Sequence, residues 1–124
     1  MDIETVLKNH AVDIDGYDWD IDNLDKQQID DDAIIHWVAR NGTVEEMECL
    51  ISNGASIEVR GDIGKTALME SIDFGNFEVA KFLLSIGADV LAKDDYEDSV
   101  LDSAEISKNI EIVTLFREHI NKTL

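Results

Sequence analysis

Apolar positions along the chain fall in short stripes at helical spacing. Phe77, Ala80, Leu83 and Leu84 share one face, and Ile110, Val113, Phe116 and Ile120 repeat the stripe further on. Thr66 stands before the apolar run Ala67-Leu68-Met69, where its hydroxyl can cap a helix start. Gly75-Asn76 ends that helix, because both residues tolerate the left-handed conformation, and Gly87 stops the next one. The pattern predicts pairs of short helices joined by turns. Each helix is too short to be stable alone. Stacked, every buried Leu, Ile or Phe contributes roughly 1.5–3 kcal/mol.

The pairs recur with a fixed period. The segment GKTALMESIDFGNFEVAKFLLSIGADV, residues 64–90, matches the chain on either side after a shift of 33 residues without gaps. Upstream, Gly42 falls under Gly75, Leu50-Ile51 under Leu83-Leu84, and Gly54-Ala55 under Gly87-Ala88. Downstream, Ser99 falls under Thr66, Leu101 under Leu68, Ala104 under Ser71, Asn109 under Asn76, Ile112 under Val79 and Phe116 under Leu83. Residues 3–14 read as the second helix of a further unit, with Val6-Leu7 in place of Leu83-Leu84.

This unit resembles the ankyrin repeat, whose pattern is G-x-T-P-L-H-x-A-x-x-x-G followed by V-x-x-L-L-x-x-G-A-D-V. The resemblance covers residues 31–122. The first repeat keeps His36, Gly42, Leu50, Gly54 and Ala55. The third has Glu97 and Lys108 where the pattern has glycine, and the proline is replaced throughout by Ile34, Ala67 and Val100. The resemblance implies an all-α fold, a solenoid of stacked helix-turn-helix units with short hairpin-like connections. As one domain it divides into an N-terminal capping helix (1–14), an acidic insertion (15–30), repeats at 31–63 and 64–96, and a C-terminal capping repeat (97–124). It further implies that His36 braces a turn and that proteins are bound by the hairpin tips and the first-helix face. Those positions are Arg60, Gly61, Asp62 and Ile63, then Lys93, Asp94, Asp95 and Tyr96, with Arg40, Asn41, Lys65, Asp73, Phe74 and Asp98 on the inner face.

Charge narrows the partners. The chain of 124 residues carries 28 acids against 10 bases, a net charge of −18. Half of that excess lies in residues 1–32. Coulomb repulsion opposes direct binding to nucleic acid phosphates or to anionic lipid. A basic protein partner, such as a toxin or a nuclease, is favoured. A non-catalytic module that binds and neutralises such a partner, as an inhibitor or immunity protein does, is the leading expectation. Two alternatives stand beside it: a general scaffold or adaptor whose acidity serves solubility, and a nucleic-acid mimic that blocks a DNA- or RNA-binding protein. A cytoplasmic monomer is expected, with one cysteine, Cys49, on a core-facing row beside Phe82 and Leu115.

The stretch DIDGYDWDID, residues 13–22, is the remaining candidate for chemistry. Aligned as a calcium loop, Asp18, Asp20 and Asp22 fit the first ligand positions, but Ile29 stands where a bidentate glutamate is needed. Gly64-Lys65-Thr66 lacks the upstream glycine of a phosphate loop, Val59 being there instead. His10, His36 and His119 are scattered over three units. No cofactor, metal or catalytic site is expected. Asp13, Asp15, Tyr17, Asp18, Trp19, Asp20 and Asp22 are read as an acidic docking insertion, with Tyr17 and Trp19 as its anchors.

Overall fold

A computed structural model describes residues 1–11 and 19–123. The helices in it are α1 (Ile3–Asn9), α2 (Ile34–Asn41), α3 (Val44–Ser52), α4 (Ala67–Asp73), α5 (Phe77–Ser85), α6 (Val100–Ser107) and α7 (Ile110–Thr123). They stack in two rows. In the inner row α2 packs on α4 and α4 on α6; in the outer row α1 packs on α3, α3 on α5 and α5 on α7. Between the rows Ile34, Ile35, Val38, Leu50, Leu68, Leu83, Ile112 and Phe116 are buried. This is the expected all-α solenoid. None of the described helices is long and apolar enough to cross a membrane.

The inner helices begin alike because their caps repeat. The Thr66 hydroxyl accepts from the Met69 backbone N–H, and the Ser99 hydroxyl accepts from that of Asp102, whose carboxylate returns the contact to the Ser99 N–H at 2.9 Å. Ala33 occupies the same place and has no hydroxyl. His36 supplies the return half alone: its Nδ1 accepts from the Ala33 N–H at 3.0 Å, and its Nε2 donates to the Val59 carbonyl at 3.0 Å. The two bonds fix the tautomer and tie the start of α2 to the next connection.

The hairpin tips repeat as well. The backbone bonds Gln28 N–H to Asp32 O, Gly61 N–H to Lys65 O and Asp94 N–H to Asp98 O, at 2.9, 2.8 and 3.0 Å, are one bond made three times at the period. Side chains then couple successive tips. Asp25 accepts from the Ser56 N–H and Glu58 from the Asp89 N–H, while Gln27 donates to the Arg60 carbonyl and Arg60 to that of Lys93. Residues 25–32 therefore follow the period, although they overlap the segment read as an insertion. The connection before α2, residues 10–33, is longer than the corresponding 53–66 and 86–99, and the surplus falls upstream of Asp25.

The tips turn through left-handed residues: Asp30 (φ 49°) and Asp31 (φ 65°) in the first, Ile63 (φ 60°) and Gly64 (φ 71°) in the second, and Glu97 (φ 64°) in the third. Only Gly64 adopts that backbone without a Cβ clash. Glu97→Gly is expected to raise stability by about 0.5–1 kcal/mol, the relief of strain exceeding the added unfolded-state freedom. The urea midpoint reads it; a lower midpoint would mean that the Glu97 side chain makes a contact outweighing the strain.

Candidate functional site

The tips form one strongly charged edge. Residues 28–32, 61–65 and 94–98 contain eight acids and one lysine. Asp30, Asp31, Asp62, Asp95, Glu97 and Asp98 are exposed; Asp32 and Asp94 are buried. Asp94, expected as a partner contact, instead braces its own turn, its Oδ1 accepting from the Tyr96 and Asp98 N–H groups at 2.8 and 3.1 Å. It faces inward because those two donors would otherwise be unpaired. Ile63 and Tyr96 stand exposed on adjoining tips, Tyr96 at 71%. The Arg60 guanidinium donates to the Gly64 and Lys93 carbonyls, so its hydrogen-bonding capacity is partly spent within the protein.

Behind the tips, the inner face is organised by Arg40. Its guanidinium donates to Glu70 and, at 2.7 Å, to Asp32. It also lies over the rings of Trp37 and Phe74, 5.8 and 5.4 Å from their centroids. Burial pushes the Glu70 carboxyl up from its ordinary value despite Arg40 beside it. Burial opposes the charge on Arg40 too, but its hydrogen bonds to Glu70 and Asp32 leave it raised. Asp32 reaches further: its Oδ1 accepts from the Asp62 N–H at 2.9 Å, linking the first tip to the second. A Cβ on Gly61 would strike both this carboxylate and the His36 ring, so the glycine is required by close approach. Lys65 pairs with Asp73; burial opposes the lysine charge, and the bond to Asp73 raises its pKa nonetheless.

Trp19, expected as an anchor of the docking insertion, is only 5% exposed. Its Nε1 donates to the His10 carbonyl at 3.0 Å, and its ring meets Trp37 edge-on at 6.2 Å. The indole is driven inward because Trp37 offers a ring to pack against and His10 supplies the one acceptor it needs. Trp37 has no such partner for its own Nε1, which is buried and unbonded. Asp20 is half-buried and accepts from the Asp22 N–H at 3.0 Å, while Asp22 is exposed. Asp13, Asp15, Tyr17 and Asp18 lie outside the described residues. Among the described residues, no group of three histidine, cysteine or acidic side chains is placed to hold a metal ion.

Three residues of the surface and its support were not singled out from the sequence. Glu46 clamps α1: its Oε1 accepts from the Thr43 N–H at 3.0 Å, and its Oε2 from Asn9 Nδ2 at 3.2 Å and His10 Nε2 at 2.8 Å. The T-x-x-E spacing of Thr43 and Glu46 was a visible capping signal. Trp37 carried no signal beyond its size. Ile106 is 79% exposed on α6, where the period places Arg40 and Asp73 in the earlier repeats. That apolar substitution at a polar row could have been read directly.

Comparison with known proteins agrees with this geometry. A family model described as ankyrin repeats, in three copies, matches residues 4–94, from α1 to the third tip. The chain is 32% identical over 71 residues to the putative ankyrin repeat protein L271 of Acanthamoeba polyphaga mimivirus, covering 57% of this chain and 10% of that protein. It is 27% identical over 97 residues to the putative ankyrin repeat protein R664 of the same virus, covering 77% of this chain and 58% of that protein. It is 32% identical over 85 residues to the human protein phosphatase 1 regulatory subunit 27, covering 68% of this chain and 54% of that protein. The chain thus spans between a tenth and a little over half of these relatives. With the repeated caps, the recurring tips and the two helix rows, the family match makes the chain a member of the ankyrin repeat family, whose modules bind other proteins.

Proposed function

We propose that this chain binds a basic protein through the acidic edge formed by its hairpin tips. The observation that carries the reading is the set of six exposed acids on three tips, held in one register by the recurring backbone bond and the side-chain couplings between tips. Such an edge is preorganised, so little ordering cost falls on association. Its charge also steers a basic partner, raising the on-rate at low salt. A partner covered in this way is neutralised without chemistry, as an inhibitor or an immunity protein for a basic toxin or nuclease would act. One relative is named as a regulatory subunit of a protein phosphatase.

Fluorescein-labelled octalysine tests the edge by anisotropy over a sodium chloride series. Binding is expected to weaken steadily as salt screens the attraction. Replacing Asp30, Asp62, Asp95 and Asp98 together by Asn is expected to weaken it about tenfold or more at low salt while leaving the urea midpoint nearly unchanged. Equal affinity of the variant and the parent would assign the acidity to solubility alone.

A further inference from the structure

We propose that Asn53 is a site of self-modification: the Gly54 backbone nitrogen displaces its side-chain amide as ammonia, and the end of α3 is released. Of the asparagines in the chain, only Asn41 and Asn53 precede glycine. At the others a side chain on the following residue hinders the attack. The fold separates the two that remain. Asn41 is exposed, but its peptide bond to Gly42 is clamped on both sides. The Gly42 N–H donates to the Val38 carbonyl at 2.7 Å, and the Gly42 carbonyl accepts at 2.9 Å from Asn76 Nδ2, a side chain of the next repeat. A Cβ on Gly42 would strike Val38, so the turn has no room to swing. Asn53-Gly54 stands in the open. Both residues are exposed, and nothing lies within 4 Å of the place a Cβ on Gly54 would take. Gly54 is left-handed (φ 100°), and its N–H bond to the Ile51 carbonyl, at 3.1 Å, belongs to the last turn of α3, which opens more readily than the interior of a helix. The same cap ends α5, where Gly87 (φ 94°) donates to Leu84 at 3.2 Å and Ala88 to Leu83 at 3.0 Å. There Ile86 stands in place of Asn53 and has no amide to lose.

The chemistry needs water alone. Once its hydrogen bond opens, the Gly54 nitrogen passes its proton to water and attacks Asn53 Cγ. The Cγ–Nδ2 bond breaks, and Nδ2 takes a proton from solvent and leaves as ammonia. Water then opens the succinimide ring: cleavage at Cγ gives aspartate, and cleavage at the main-chain carbonyl gives isoaspartate. Either product undoes the cap. Asn53 Nδ2 donates to the Cys49 carbonyl at 2.8 Å. A carboxylate sets an acceptor against that acceptor, at the negative end of the α3 dipole. Isoaspartate also adds a methylene to the main chain. That displaces the Ala55 and Ser56 N–H groups from the Leu50 carbonyl and the Asp25 carboxylate, which they bond at 3.0 and 2.8 Å. The joint between the first and second tips loosens with it.

Ageing the whole protein in neutral buffer tests the site, with released ammonia assayed and peptides mapped by mass after digestion in acid. Asn53 is expected to convert about tenfold or more faster than Asn41, the ratio being set by how readily each peptide opens. Isoaspartyl methyltransferase is expected to label the peptide that carries Asn53. Asp15-Gly16 can also yield isoaspartate, but without ammonia or a change of mass, so it is told apart. The aged protein is expected to unfold at lower urea than the fresh protein, whereas Asn53→Gln keeps its own midpoint on ageing. Ile86→Asn builds the same dipeptide into the twin cap of α5 and is expected to release ammonia there as well. Loss at Asn41 as fast as at Asn53, or no conversion of Asn53 over many half-lives of the free peptide of residues 51–56, overturns the site. An aged protein converted at Asn53 with the midpoint of the fresh one overturns the release of α3.

Discussion

Arg40→Ala is expected to destabilise the protein by about 3–5 kcal/mol, because it strands two buried carboxylates. Glu70 and Asp32 have side chains only 5% and 3% exposed, and Arg40 is the cation that both contact. Without it, Glu70 keeps its desolvation cost with only the more distant charge of Lys65 to offset it. The Trp37 and Phe74 rings also lose the planar group packed against them. Replacing Glu70 as well tests this account. Arg40→Met combined with Glu70→Met is expected to recover only the part of the loss owed to Glu70, since that buried ion pair is exchanged for apolar groups of similar size while Asp32 stays without its cation. Urea unfolding of Arg40→Met, Glu70→Met and the double variant gives the coupling directly. A cost below about 1 kcal/mol for Arg40→Ala, within the range of an exposed ion pair, would show that the network is solvated and does not hold the inner face.

The second large effect is at Glu46. Glu46→Ala removes the return half of a capping box and the acceptor for Asn9 and His10 together. The expected cost is about 2–3 kcal/mol, from a lost cap and two part-buried hydrogen bonds. It falls on the docking of α1, so tryptophan fluorescence should shift as Trp19 follows His10 away from the core. The pH dependence has a definite sign. Burial opposes the Glu46 charge, but the bond from Asn9, the charge of His10 and the Thr43 N–H together hold its carboxyl below its ordinary value. Its stabilisation is therefore full above the unfolded carboxyl pKa of about 4.5 and is lost as pH falls through the lower folded value. The parent and Glu46→Ala should converge in stability on acidification. Glu70 acts oppositely: raised by burial, it gains stability for the fold as it takes up a proton. A gap between parent and variant that stays constant down to pH 3 would remove Glu46 as the clamp.

The repeat was legible because glycines and leucines recur as identical letters. The couplings between tips were not, because they conserve chemistry rather than identity. Asp25 and Glu58 accept the same backbone donor one repeat on, and Gln27 and Arg60 donate to the same carbonyl, yet neither pair matches in a letter-by-letter comparison. Arg40 was visible as an inner-face residue, but its partners lie 8 and 30 positions away and only the stacking of α2 on α4 unites them. Trp19 and Asp94 sit in acidic, turn-rich surroundings that read as surface. Each turned inward for want of partners elsewhere: an apolar seat in one case, unpaired backbone donors in the other. Ile106 erred the other way, an apolar letter inside an amphipathic helix that the fold leaves in water.

The couplings between tips have a further consequence. In every one of them a side chain of one repeat grips the main chain of the next, at Ser56, Asp89, Arg60 and Lys93. At Ser56, Asp89 and Lys93 the gripped residue can change its side chain without loosening the joint; Arg60 alone of the four also grips the following repeat with its own side chain. Layers are thus latched in a way that is blind to what the following layer displays, and outward-facing residues are free to be rewritten, by selection or by design, without renegotiating how the stack is assembled.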